Sequence, residues 1–223
     1  MCVNYKAPTP TEMIETFSAP VFEQTEWKEE VWQDYLAPII TGNGDSRTGM
    51  LASYGMVPQK RIPEGVRKFS TMNARAETVG QKRSFSRAWK DGQRCLVPLR
   101  HFYEPNWETG KAVRWKIGMA DGSLFAVAGI WKNWMDGDEI AARSFTQLTV
   151  NSDDHPLMRR FHRPGDEKRS LIIVPRDHWD DWLGCRDTEE ARTFFRTYPA
   201  ELMAAEPAPQ APRKKQATSD SLF

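Results

Sequence analysis

The sequence predicts an α+β fold: a single domain with a largely antiparallel sheet or open β-barrel core flanked by helices, plus a disordered C-terminal tail. Three observations predict it. Short runs rich in β-branched and aromatic residues, separated by turn signals such as Asp121-Gly122, fill the middle of the chain. Segments of helical composition lie before and after those runs. From Ala204 the sequence turns to AAEPAPQAPRKKQATSDSLF, which has almost no core-forming residues to offset the entropy of ordering. The domain is therefore placed at residues 2–203 and the tail at 204–223.

In chain order, the first helix is expected over Phe22–Tyr35 and a second over Ser84–Lys90. Strands are expected over Gln93–Tyr103, Val113–Met119, Ser123–Trp131, Ser144–Asn151 and Ser170–Val174. Two helices follow, Asp177–Leu183 and Thr188–Thr197. The last has Thr188 as its N-cap and Glu189 and Glu190 in the first turn, where carboxylates favour the positive end of the helix dipole. Trp115, Trp131, Trp179 and Trp182 lie on strand or helix faces and are assigned to the core.

Composition narrows the function classes. At 223 residues an ordinary hydrophobic core is within reach, since a chain of this size buries roughly 70% of its unfolded surface. No apolar run approaches the roughly 18 residues that span a bilayer, and the first ten residues lack a signal-peptide core. The three Cys (Cys2, Cys95, Cys185) show no CxxC spacing, so neither a zinc site nor a disulfide framework is expected. The expectation is a cytoplasmic monomer that needs no metal or cofactor and has no membrane partner.

Net charge is only +1, yet the charges are segregated. Between Lys60 and Arg100 basic residues greatly outnumber acidic ones, and Arg159, Arg160, Arg163, Lys168 and Arg169 cluster near His155 and His162. Acidic residues gather instead near Glu23–Asp34 and Asp177–Glu190. Such segregation has two readings: one basic face on a neutral protein, the electrostatic footprint of a polyanion partner, or a solvated surface of local ion pairs.

Cys2 carries the most chemical information. A small second residue permits removal of Met1, which leaves an α-amine and a thiol on adjacent carbons. Their unperturbed pKa values, about 7.7–8.0 and about 8.5, keep both partly reactive near neutral pH. An aldehyde meeting this pair forms a Schiff base, the thiol adds to it, and a five-membered thiazolidine closes.

Further segments occur in a fixed order. They are Met1-Cys2, Gly55-Met56-Val57-Pro58, Asn73-Ala74-Arg75-Ala76-Glu77-Thr78, Arg94-Cys95-Leu96-Val97-Pro98 with Phe102-Tyr103-Glu104, Leu148-Thr149-Val150-Asn151, and Phe161-His162-Arg163-Pro164. From Cys2 to about Leu183 the chain resembles the SOS-response-associated peptidase (SRAP) family, whose members crosslink themselves to abasic sites in single-stranded DNA. The resemblance implies that Cys2 is the crosslinking nucleophile and that Asn73 holds the amine. Glu104 then matches the acid–base carboxylate, and His162 the catalytic histidine with His155 as its competitor. Arg75 matches a phosphate contact. The implied partner is single-stranded DNA containing abasic sites. Among this chain's own residues, Arg75, Arg83, Arg87, Arg159 and Arg163 are the candidates for its phosphates and Tyr54 or Trp107 for its bases.

Departures from the family pattern fall at Tyr54, where the family usually has Trp, at Pro105, again for Trp, and in an insertion over Gly165–Arg169. Two other readings of the same residues stay open. One is an N-terminal-Cys peptidase, with self-processing as its narrowest form; the other is a non-covalent single-strand-binding module. Finally, Ser219–Phe223 resembles the short peptides that dock replication proteins on the sliding clamp, with Leu222 and Phe223 as the apolar anchors.

Overall fold

In a computed structural model, residues 3–23, 26–42 and 46–210 are described. Cys2 and Ser219–Phe223 lie outside them. Thirteen strands are assigned among the described residues: β1 Tyr5–Lys6, β2 Glu30–Val31, β3 Leu36–Gly42, β4 Arg47–Tyr54, β5 Asn73–Arg75, β6 Arg94–Leu99, β7 His101–Asn106, β8 Val113–Met119, β9 Phe125–Asp136, β10 Glu139–Asn151, β11 Arg169–Leu171, β12 Ile173–Val174 and β13 Met203–Pro207. Four short helices accompany them: α1 Pro10–Phe17, α2 Ser86–Lys90, α3 Trp179–Gly184 and α4 Thr188–Arg192.

Five strands close a barrel. The order β10–β4–β3–β6–β9 returns to β10, and only the β10–β4 seam is parallel. A closed ring leaves these strands with few unpaired edges. The strands β5, β11 and β12 extend this sheet, while β13–β8–β7–β1–β2 form a second, antiparallel one. The expected single strand Gln93–Tyr103 is divided at Arg100, where the backbone passes from β6 in the barrel to β7 in the second sheet. The β6 strand is buried along its whole length, so alternate residues serve different clusters. Leu96 packs with Met13, Phe17, Trp89, Trp179 and Trp182, the helix side. Cys95, Val97 and Leu99 pack with Tyr5, Phe102, Phe145 and Phe161, which join the barrel to the second sheet.

The helix expected over Phe22–Tyr35 is not formed among its described residues. Trp27 Nε1 instead donates to the Pro8 carbonyl (2.9 Å), Glu30–Val31 pairs with β1, and Asp34 adopts a left-handed φ of 66°. Tertiary pairing overrides a helix propensity that rested on Glu and Lys content without an apolar stripe. The N-terminal helix is α1, begun by a capping box. The Glu12 amide donates to Thr9 Oγ1, the Thr9 amide donates to the Glu12 carboxylate, and Pro10 starts the helix. Asp187, not Thr188, caps α4, because its carboxylate accepts from the amides of Glu189 and Glu190 (both 2.8 Å). Met203–Pro207 pairs with β8, so the second sheet runs past the expected boundary at Ala204.

Trp179 and Trp182 are buried, as their positions on α3 predict, whereas Trp115 and Trp131 are half-buried at the margin of the second cluster. Trp182 Nε1 donates to the Cys95 carbonyl (2.8 Å), which bolts α3 to β6. Trp182→Ala leaves a large cavity and removes a buried hydrogen bond, so unfolding in urea should show a loss of about 3–5 kcal/mol. An unshifted midpoint would remove α3 from the core.

Candidate active site

Strand alternation along β7 turns Phe102, Glu104 and Asn106 inward and leaves His101, Tyr103 and Pro105 half-buried on the other face. Glu104 is thereby a carboxyl group only 3% exposed. The segment after β10 docks on the end of this strand. The Asn106 side-chain amide donates to the Arg160 carbonyl (3.2 Å), Phe161 bridges Asn106, and the His162 amide donates to the Pro105 carbonyl (2.9 Å). His162 Nε2 then stands 3.3 Å from Glu104 Oε2, within ion-pair range but off the axis of a well-aligned hydrogen bond. To reach this place His162 takes a φ of 67°, a left-handed conformation that costs energy in a residue with a Cβ.

His155 is engaged otherwise. Its Nδ1 accepts from the amides of Leu157 (3.2 Å) and Met158 (3.0 Å), and its Nε2 lies 2.7 Å from the Tyr198 carbonyl. Two amides donating to Nδ1 require the proton on Nε2, so both nitrogens serve the fold of the loop. Of the two competing histidines, only His162 pairs with the buried carboxyl.

Asn73 begins β5, half-buried and opposite Gln147 of β10 in a parallel register. Gln147 Oε1 accepts from the Tyr54 hydroxyl (2.9 Å). The Tyr54 ring stacks on Phe145 (5.3 Å) and meets Tyr5 edge-on. Tyr54 is fully buried, so the expected role for it in base stacking is corrected: the ring is structural, and it supports the strand opposite Asn73. Asn4, among the first described residues, accepts at its carbonyl from the Tyr103 amide (3.2 Å), which brings the N-terminal segment alongside Glu104.

A groove of about 660 Å³ opens beside His162, with Trp107, Arg159, Arg160 and Lys168 among its lining. Lys168 Nζ donates to the carbonyls of Arg163 (2.8 Å) and His162 (3.4 Å), which secures the loop. Arg160 is committed to Glu108 through two contacts (2.8 and 3.1 Å), while Arg159 and Arg163 are exposed. Arg75 is exposed on the flank and pairs with Glu167 (2.7 Å). Arg83 and Arg87 are exposed before and on α2, outside the groove lining, and Arg87 faces Asp91 (3.4 Å). Asn106 was missed in the sequence, although its inward turn follows from the same alternation as Glu104. Among the described residues no group of three or more His, Cys, Asp or Glu is arranged to hold a metal ion, and no helix is long and apolar enough to cross a membrane.

The family described as SOS response associated peptidase (SRAP) matches residues 1–211. The chain belongs to that family. Its relatives include the "Abasic site processing protein YoaM" of Bacillus subtilis, 27% identical over 176 residues, covering 78% of this chain and 73% of that protein. The "Abasic site processing protein YobE" of the same organism is 26% identical over 170 residues, 75% of this chain and 73% of that one. Among solved structures, a Bordetella bronchiseptica protein is 32% identical with a TM-score of 0.82, covering 94% of this chain and 100% of its own. A Bacteroides thetaiotaomicron protein with a TM-score of 0.73 is 19% identical and shares the fold, covering 99% and 100% of the two chains. Of the four residues expected from the sequence to be catalytic, Glu104 and His162 are neighbours and Asn73 stands on β5 beside β10. The fourth, Cys2, lies outside the described residues.

Proposed function

We propose that this protein processes abasic sites in single-stranded DNA by capturing them covalently on Cys2. The observation that carries the reading is the buried Glu104–His162 pair, 3.3 Å apart, beside an open groove with Trp107, Arg159 and Lys168 on its walls. The names of the SRAP relatives support the same substrate. Cys2 precedes Asn4 by two residues, a span of at most about 7 Å, so its tether supports reach toward the Glu104 end of β7.

The chemistry balances as a condensation. With Met1 removed, the α-amine adds to the aldehyde carbon of the ring-opened sugar and gives a carbinolamine. Glu104 protonates the departing hydroxyl, and water leaves an iminium. His162 takes the proton of the Cys2 thiol and passes it to the Glu104 carboxylate, and the thiolate adds to the iminium carbon to close a thiazolidine. A positioned acid–base group of this kind contributes roughly 10²–10⁴-fold. Trp107 supplies the face for a neighbouring base, and Arg75, Arg159 and Arg163 supply charge for phosphates. A single strand suits the site because its deoxyribose can turn into a recess that a stacked duplex would keep closed.

The test is a labelled oligonucleotide with one abasic site, incubated with protein and run on a denaturing gel. A retarded band is expected, from protein whose intact mass lacks Met1. Absence of the band with Met1 removed, or an undiminished band from protein that retains Met1, rejects the mechanism. A peptidase acting through the same groups would give no band.

A further inference from the structure

The insertion Gly165–Arg169, which sets this chain apart from the family pattern, places a carboxylate against the proposed phosphate contact. Glu167 Oε2 lies 2.7 Å from the Arg75 guanidinium, and its Oε1 lies 2.7 Å from that of Arg169. Arg169 is 3% exposed and has partners other than Glu167: Glu77 meets it with both oxygens (3.0 and 2.8 Å), and the Thr149 carbonyl accepts from Nη2 (2.5 Å). Arg169 thus has its charge matched by Glu77 without Glu167. Arg75 differs. It is half exposed on the flank of the site, and Glu167 is the one carboxylate that an ion pair gives it among the described residues.

We infer that Glu167 is an affinity-setting residue that occupies Arg75 in the free protein and must be displaced by a DNA phosphate before the strand can seat. This rests on the reading of Arg75 as a phosphate contact in abasic-site capture. The displaced carboxylate keeps a partner, since Arg169 remains within reach, so the exchange strands no buried charge. The Arg169 hydrogen bond leads the interactions that hold the Glu167 carboxyl below the ordinary range, so it is an anion whenever DNA is bound near neutral pH. The effect discriminates by charge density: a ligand with one weak anionic group fails to displace Glu167, whereas a strand offering successive phosphates succeeds. A non-specific encounter is weakened, and lesions held at Cys2 are retained.

A double-mutant cycle reads this directly, with binding of undamaged oligothymidylate followed by fluorescence anisotropy across a salt series. Glu167→Gln should tighten binding about two- to fivefold at low salt, the range of a half-exposed ion pair, and should steepen the salt dependence by up to about one phosphate equivalent. In an Arg75→Ala background the same substitution should change affinity little. Equal tightening with and without Arg75 would mean a general charge effect, and no tightening at all would mean no competition; either overturns the inference. Thermal melts accompany each variant, and Glu167→Ala serves as the second substitution should Gln disturb the Arg169 cluster. Wild-type protein that binds no oligothymidylate would instead reject the DNA reading itself, so the two failures are distinct.

Discussion

Cys2→Ala is expected to remove the retarded band from the denaturing gel altogether while binding of undamaged single strand stays nearly intact. The substitution separates two halves of the proposed chemistry. Alanine is also small enough for Met1 to be removed, so the α-amine survives and can still condense with the aldehyde. What it lacks is the thiol that closes the ring, and an open Schiff base hydrolyses during denaturation. The variant should therefore give no band as prepared, and a band only when borohydride reduces the imine during incubation. A band of wild-type intensity without reductant would assign the bond to another nucleophile. No band even with borohydride would mean that the amine does not attack at all.

The second large effect is on rate. Glu104→Gln retains the shape of a side chain only 3% exposed and keeps an oxygen toward His162, but removes the group that carries the proton. Capture of an abasic site should slow by roughly 10²–10⁴-fold, the contribution of a positioned general acid. Single-turnover time courses on the denaturing gel measure it, with a melting curve to show that the fold is retained. A rate equal to that of the wild type would remove Glu104 from the chemistry and leave it as a packing residue of β7.

The sequence made some parts of this architecture legible and hid others, for physical reasons. Runs such as Val113–Met119 and Ser144–Asn151 carry enough β-branched and aromatic residues to read as strands, and they fold as β8 and part of β10. The Thr9-Pro10-Thr11-Glu12 capping box was equally visible and would have located α1. The segment Phe22–Tyr35 misleads because its glutamates and lysines favour a helix in isolation, while Trp27 gains a hydrogen bond to the Pro8 carbonyl and Val31 pairs with β1. Strands β3 and β4 are hidden because both faces of β3 are largely covered and its apolar run lacks alternation. At the site, Glu104 follows from alternation along β7 and from the ordered motifs. The distinction between His155 and His162 does not, since it depends on which ring meets backbone amides and which meets a carboxyl. Tyr54 misleads for a related reason: an aromatic residue where the family usually has Trp suggests a face for a base, and only barrel closure shows that it is enclosed.

The parallel seam of the barrel bears on how the protein comes to be folded. It consists of Ser53 facing Ser144 and Tyr54 facing Phe145, partners far apart in the chain, whereas β3–β4 and β9–β10 are hairpins that form locally. Contacts of long sequence separation must overcome loop-closure entropy before they contribute, so they form late and slowly. The Tyr54 hydroxyl and Gln147 meet beside that seam, and Gln147 is the residue opposite Asn73. A nascent chain would therefore hold finished hairpins well before Asn73 has a platform, and the positioned reactive centre would mature only with the final step of assembly.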